Sequence, residues 1–92
     1  MTSDRPDDEN EGGVEAALGR ALIEASDRAR ERDPGGVRAR IERVERRVDE
    51  LDDEELADRL RHGCDAVRRL VDDEPLVAAA YLDAMRRRVT GE

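Results

Sequence analysis

The apolar residues between positions 37 and 51 recur at alternating steps of four and three, with mostly charged residues between them. They are Val37, Ile41, Val44, Val48 and Leu51. This spacing is the a/d pattern of a helix that lies along another helix. It predicts a helix over about 37–50 with a coiled-coil-like seam, which we call the 37–51 seam.

A second helix start is marked at the end of this seam. In the segment 51–56, Asp52 stands as a predicted N-cap with Glu55 three residues later, a variant of the capping box. Leu51 and Leu56 flank this box at the positions of a hydrophobic staple. The segment predicts a tight turn followed by a new helix.

The same order of residue types returns twenty residues later, in the segment 71–76. Here Asp72 is the predicted cap, with Val71 and Leu76 as the staple. Pro75 falls in the first turn, where a missing N–H costs nothing. Two matching starts indicate a chain of helices joined by tight turns.

Two further helices and the bounds of the third follow from the same periodicity. A first helix is predicted over about 14–32; its apolar face is narrow and rich in Ala, so we expect it to be the weakest. It ends before the segment 33–36, Asp-Pro-Gly-Gly, which is expected to break the helix and reverse the chain. The third and fourth helices are predicted over about 53–71 and 75–89, and Gly63 in the third indicates a close helix backbone.

These elements predict an all-α fold, a small bundle of three to four antiparallel helices joined by tight turns. The single helical domain is expected to cover residues 13–92. Residues 1–12 contain one apolar residue, Met1, among five acids, and they are expected to form a disordered acidic tail. Whether the helix at 14–32 packs within its own chain or swaps to a second copy stays open.

The chain is strongly acidic, and its basic residues other than His62 are all Arg. Among 92 residues there are 25 Asp and Glu against 17 Arg and no Lys, for a net charge of −8. This composition resembles that of proteins from salt-accumulating halophiles, in which salt screens the self-repulsion of the chain. An acidic protein from a high-GC bacterium is the alternative.

The location expected from the sequence is the cytoplasm. The N-terminus is acidic where a secretory signal is basic and then apolar, and no uncharged stretch approaches the length of a membrane span. The single cysteine, Cys64, cannot form an internal disulfide, which agrees with a reducing compartment.

No pattern of catalytic or metal-binding residues emerges. His62 and Cys64, two residues apart on a helix, point in different directions and cannot share a metal. Asp58 lies one turn before His62 and offers an ion pair. The acids of 52–55 and 72–74 cluster at helix starts, where capping explains them. We therefore expect no enzyme activity, no cofactor and no metal.

The function that the sequence favours is protein–protein association. The 37–51 seam provides apolar contact area for a second copy, giving a homodimer, or for another helical protein. The flanking Arg and Glu side chains are expected to set the choice of partner.

Two other functions stay open. One is a DNA-associated or antitoxin-like regulator that contacts phosphates through two clusters: Arg40, Arg43, Arg47, Arg86, Arg87 and Arg88. The acidic net charge and the apolar start of the fourth helix disfavour nucleic acid as a partner. The other is a sensor of a small ligand or metal that uses the space beside Gly63 and His62.

Overall fold

The computed structural model describes the backbone of residues 4–91 and the side chains of residues 13–91. Within that range the chain forms four α-helices and no strand. They are α1 (Asp4–Arg30), α2 (Pro34–Val48), α3 (Glu54–Leu70) and α4 (Pro75–Thr90). Each helix packs on its neighbour in sequence and α1 also packs on α4, which closes a four-helix bundle. Short connections between packed neighbours make them antiparallel, so the predicted fold class is confirmed.

The first helix is longer and more central than the sequence analysis predicted. It begins at Asp4 rather than near residue 14, and its most extensive contacts are with α2 and α4 of the same chain. Leu18, Leu22 and Ala25 are fully buried on its inner face. Its alanine side chains let two other helices approach its axis. That this helix is the weakest of the four stays a prediction.

The predicted tail over 1–12 falls on residues whose side chains lie outside the described part of the chain. The prediction that this segment is disordered is therefore not tested. The structure corrects only the predicted start of the helix, because the backbone of α1 is helical from Asp4.

The start of α2 differs from the prediction in a way that capping explains. Asp33 is the N-cap, and its side chain accepts a hydrogen bond from the Gly36 backbone N–H at 3.0 Å. Pro34 occupies the first turn of α2, where its fixed φ suits a helix. The chain thus reverses just before Pro34, where Arg32 has a φ of +59°, and 34–36 belong to the helix.

The cap of α3 lies one residue later than predicted. Asp53, not Asp52, is the N-cap, and its side chain accepts a hydrogen bond from the Leu56 N–H at 3.1 Å. With this register Leu51 and Leu56 are still half-buried against the core, but they do not occupy the staple positions.

The cap of α4 is also displaced, and Pro75 gives the reason. Pro75 is the first helical residue, so the residue directly before it, Glu74, becomes the N-cap, without a side-chain capping hydrogen bond. Asp72, the predicted cap, instead pairs with Arg38 of α2 at 2.8 Å. Leu76 is 55% exposed and forms no staple.

The core runs along the axis of the bundle and includes most of the 37–51 seam. Val37, Ile41 and Val44 are fully buried, Val48 is 1% exposed, and Leu51 packs against them from just beyond α2. The pattern at 37–51 is therefore the inner face of α2. No helix of the described chain is long and apolar enough to cross a membrane.

Candidate interaction surface on α3 and α4

The first two turns of α4 expose large apolar side chains to solvent. Leu76, Val77 and Tyr81 are 55%, 45% and 44% exposed. Ile23 on α1 is the fourth such residue within the described range. The start of α4 is apolar on all sides, and the bundle buries only the side that carries Ala78, Ala79, Leu82, Met85 and Val89. The opposite side is an unpartnered apolar surface of the bundle.

Beside this surface lies a solvent-open groove of about 560 Å³ between α3 and α4. We call it the α3–α4 groove; its lining residues are Arg59, Leu60, His62, Gly63, Val77, Ala80, Tyr81, Ala84, Met85 and Arg88. Most of these side chains are apolar or small. The two arginines and the histidine supply its polar positions.

Gly63 allows α3 and α4 to pack closely at this groove. A methyl group at Gly63 would lie 2.7 Å from the Met85 sulfur, closer than side chains approach each other. From the sequence, a helix backbone is expected next to this glycine. The neighbour is instead the Met85 side chain, whose unbranched, flexible shape fills the space that the missing Cβ leaves.

Five positions form one exposed stripe along α4. They are Val77, Tyr81, Ala84 and Arg88 on the helix and Glu74, the N-cap directly before it, and they follow one another at steps of three, four, three and four. We call this stripe the α4 outer face; all five residues are exposed. It repeats the a/d spacing of the 37–51 seam, but on the outside of the bundle. In the sequence this periodicity is hidden by the run of apolar residues at 76–82, so the stripe was not predicted.

The two ends of α4 carry opposite charge. Asp72, Asp73 and Glu74 precede the helix, and the basic residues at 86–88 occupy its last turns. Arg88 lies both in the α3–α4 groove and in a smaller polar pocket, where it neighbours Arg59. Arg59 lies 3.8 Å from Glu55 on its own helix. The outer face therefore runs from an acidic end to a basic end.

A polar cluster fixes α4 against α1 and so orients the outer face. The Ser26 hydroxyl, which is 2% exposed, donates to Asp83 at 2.8 Å and accepts from Arg30 at 2.6 Å. Arg30 also donates to the second Asp83 oxygen at 2.5 Å. Burial acts to raise the pKa of Asp83, but the hydrogen bonds from Ser26 and Arg30 outweigh it and leave that pKa below its ordinary value. This three-residue cluster was not predicted, since its members are 53 or more positions apart across the two helices.

A similar set of ion pairs links α3 to α2. Arg68 donates to both carboxylate oxygens of Glu45 at 2.6 Å, which lowers the pKa of Glu45. Arg61 pairs with Asp49 at one end of the contact, and Arg38 pairs with Asp72 at the other. Three of the charges beside the 37–51 seam, Arg38, Glu45 and Asp49, are therefore paired within the chain.

The structure places the residues of the predicted seam inside the molecule. A partner can contact Val37, Ile41, Val44 and Val48 only if helices of the bundle separate. Binding of a partner through the 37–51 seam stays a prediction, and the exposed surfaces lie elsewhere.

The arginine stripe on α2 is paired with acids of the same chain. Arg40 lies 3.3 Å and Arg43 3.7 Å from the same carboxylate oxygen of Glu24, and Arg47 lies 3.2 Å from Glu50. The second cluster, 86–88, is on α4, diagonally across the bundle. The two clusters of the DNA hypothesis are therefore on different sides of the molecule.

His62 and Cys64 are separated as their spacing indicated. The His62 Nδ1 lies 2.9 Å from the Asp58 main-chain oxygen, so the expected His62–Asp58 ion pair is replaced by a bond to the backbone. The Asp58 carboxylate instead pairs with Arg61 at 3.1 Å. Cys64 is fully buried, and desolvation raises the pKa of its thiol to about 12. Among residues 13–91 no group of three or more potential ligands is placed to hold a metal ion.

Comparison with known families adds one finding. A family described as Domain of unknown function (DUF8101) matches residues 2–91, a range that spans all four helices. The chain belongs to the DUF8101 family. No curated protein and no solved structure matches the chain.

Proposed function

We propose that this DUF8101 protein is a small acidic, non-enzymatic module for protein–protein association, and that it binds a second copy or another protein through the α4 outer face. The observation that supports this most directly is the exposure of Val77 and Tyr81 on consecutive turns of this face, with the exposed Leu76 next to Val77 on the same helix. Apolar side chains grouped in this way mark interaction surfaces, whereas single exposed ones are normal.

The proposal moves the contact from the 37–51 seam to α4. The core needs the seam, because the chain contains no Phe or Trp and most of its large apolar residues are Leu and Val. Removing α2 from the bundle would expose four side chains that are at most 1% exposed now. Docking on the α4 outer face needs no such rearrangement, and surfaces that are already formed bind at a lower cost.

The acidic composition bears on the conditions of association. Two chains of charge −8 repel each other, and this repulsion falls once the Debye length shrinks to about 3 Å in molar salt. We propose a salt-rich cytoplasm as the setting in which the protein associates, and binding should be measured in about molar KCl for this reason.

The test compares three substitutions of equally exposed apolar residues. Tyr81→Asp and Val77→Asp place a charge on the α4 outer face, and Ile23→Asp places one at a similarly exposed site of α1. We expect the mass of the wild type and of Ile23→Asp, measured by light scattering, to approach twice 10.3 kDa as the concentration rises toward about 1 mM, and the two α4 variants to stay monomeric. Retention of native extract proteins on the immobilised chains is measured in parallel and should follow the same order. Association that is equal in all four proteins would contradict the proposal.

A sensor function is a second candidate, which the α3–α4 groove favours. The groove lies beside Gly63 and His62, as that hypothesis requires, and its volume of about 560 Å³ is within the range of small-molecule sites. A thermal-shift screen with small ligands and divalent metals tests it. A ligand that raises the melting temperature of the wild type but not of Ala84→Trp, which fills the groove, would support it; no shift with any compound would count against it.

No arrangement of the described residues supports the DNA-associated or antitoxin-like function. The pairing of Arg40 and Arg43 with Glu24 reduces the positive charge that α2 offers to phosphates. The test is retention of the protein on immobilised DNA in dilute salt. Retention that is lost in a variant with Arg40, Arg43 and Arg47 changed to Ser would support this function.

A further inference from the structure

The charge and spacing of the α4 outer face point to a specific partner and orientation. We infer that α4 of one copy binds α4 of a second copy in antiparallel orientation, with the two-fold axis near Tyr81 and Glu74 of each copy beside Arg88 of the other. This inference rests on the proposed function and names the partner at the same surface.

The spacing of the five outer-face residues suits a two-fold axis. Relative to Tyr81, they lie at −7, −4, 0, +3 and +7, so the set is nearly symmetric about its centre. A two-fold axis makes each patch contact its own copy, and such an axis at Tyr81 places residue 74 opposite residue 88. Val77 then lies next to the second copy's Ala84, which leaves room for the larger side chain.

The charges at the two ends of the outer face favour the antiparallel orientation. A parallel pair would bring Glu74 next to Glu74 and Arg88 next to Arg88, whereas the antiparallel pair joins opposite charges at both ends. The antiparallel pair also places each positive helix N-terminus near a negative C-terminus. The Glu74 side chain makes no capping hydrogen bond, so its role at the helix start does not occupy it.

Small side chains near the centre of the outer face allow a second helix to pack closely. Ala80 and Ala84 lie beside Tyr81 in the lining of the α3–α4 groove, and small residues permit a short distance between helix axes. A contact between two helices of four to five turns is smaller than the roughly 1,200 Å² at the lower end of standard interfaces. We therefore expect a weak dimer that forms as the concentration rises, and measurements should extend to about 1 mM protein.

The experiment is a charge exchange followed by sedimentation equilibrium in dilute and in molar KCl. Glu74→Arg and Arg88→Glu each place like charges at both ends of the antiparallel pair, and each is expected to raise the dissociation constant about fivefold or more. The double variant Glu74→Arg/Arg88→Glu restores both pairs and should dimerise within about twofold of the wild type. An equimolar mixture of the two single variants should form mainly the heterodimer.

The control separates local pairing from net charge. Glu54 lies at the start of α3, off the outer face. The substitution Glu54→Arg changes the net charge from −8 to −6, as Glu74→Arg does. Because it lowers the overall repulsion, it should leave dimerisation unchanged or strengthen it, while Glu74→Arg weakens it. Melting curves by circular dichroism check that every variant is folded.

The outcomes distinguish this inference from the proposed function. If Tyr81→Asp abolishes association but the charge exchange has no effect, the proposed function stands and the antiparallel register is overturned. If the double variant dimerises no better than the single ones, the pairing of positions 74 and 88 is overturned. If the wild type stays monomeric up to about 1 mM, a second copy is excluded as the partner, while binding of another protein that depends on Tyr81 would still support the proposed function.

Discussion

Ile41 and Ile23, the two isoleucines of the chain, lie in opposite environments. Ile41 of α2 is fully buried in the core, and Ile23 of α1 is 47% exposed. We expect Ile41→Ala to lower the free energy of unfolding by about 2–5 kcal/mol, because it leaves a cavity among packed side chains. Ile23→Ala should change it by less than about 0.5–1 kcal/mol. Chemical denaturation measures both, and equal losses would contradict the burial described for α2.

At the same scale, Asp83 should contribute stability that depends on pH. Its pKa is lower in the folded chain than in the unfolded one, because the hydrogen bonds from Ser26 and Arg30 outweigh the effect of burial. The unfolded state therefore binds the proton first as the pH falls. The contribution is complete above the unfolded-state pKa of about 3.9 and is lost as the pH falls through the lower folded-state pKa.

The test of the Asp83 prediction is the variant Asp83→Asn. Near pH 7 it should be about 1 kcal/mol less stable than the wild type, a modest figure because Arg30 is half exposed to solvent. The difference should shrink as the pH falls below about 3.9 and through the lower folded-state pKa of Asp83. Asp73→Asn, which changes an exposed acid in the turn before α4, serves as the control. A loss that is the same at all pH values would refute the assigned role of the carboxylate.

At the scale of the element, the start of α2 depends on two adjacent glycines that should respond differently to substitution. A methyl group at Gly36 would lie 2.5 Å from the carboxylate of Asp33, the N-cap, whereas one at Gly35 has its nearest neighbour at 3.9 Å. Gly35→Ala should therefore stabilise the protein by up to about 1 kcal/mol, through helix propensity alone.

Gly36→Ala should gain little or nothing, because displacing the Asp33 cap costs about 1 kcal/mol and offsets the propensity. Urea denaturation of the two variants measures the difference. In the background of Asp33→Ala the cap is already lost, so Gly36→Ala should then stabilise the chain, but less than Gly35→Ala does, because its methyl group still lies 3.1 Å from the Arg28 side chain. If the two variants behave alike in both backgrounds, the cap contributes nothing.

The elements also show how far local sequence signals reach. The number of helices and the inner face of α2 were predictable, because the spacing of Val37, Ile41, Val44 and Val48 suits only a helix. The two predicted caps, Asp52 and Asp72, were misplaced by one and two residues, because several acids stand in a row and any of them can cap. Only the position of Pro75 relative to α4 shows why Glu74 precedes the helix.

At the scale of the whole molecule, the net charge of −8 should make stability depend on salt. Screening the repulsion among exposed acids should raise the free energy of unfolding by about 1–2 kcal/mol between dilute and 2 M KCl, or about 5–15 °C in Tm. The ion pairs between helices weaken with salt and oppose this rise, but basic side chains are fewer than acids.

The control for the salt prediction is a less acidic chain. A variant with Glu42→Gln, Asp52→Asn and Asp73→Asn neutralises three exposed acids and brings the charge from −8 to −5. Its melting temperature should rise less with KCl than that of the wild type. A Tm that falls with salt in both proteins would mean that ion pairs, and not repulsion, dominate the electrostatics.

The sequence by itself determined that this protein is an acidic all-α bundle with the 37–51 residues along a helix seam, because helix periodicity and composition are local properties of the chain. Only the tertiary structure decided which apolar stripe is covered. Both α2 and α4 carry a/d spacing, and a bundle of four short helices has one interior. The packing of α1 between α2 and α4 fills that interior with the seam of α2, so that Val77 and Tyr81 of α4 face the solvent.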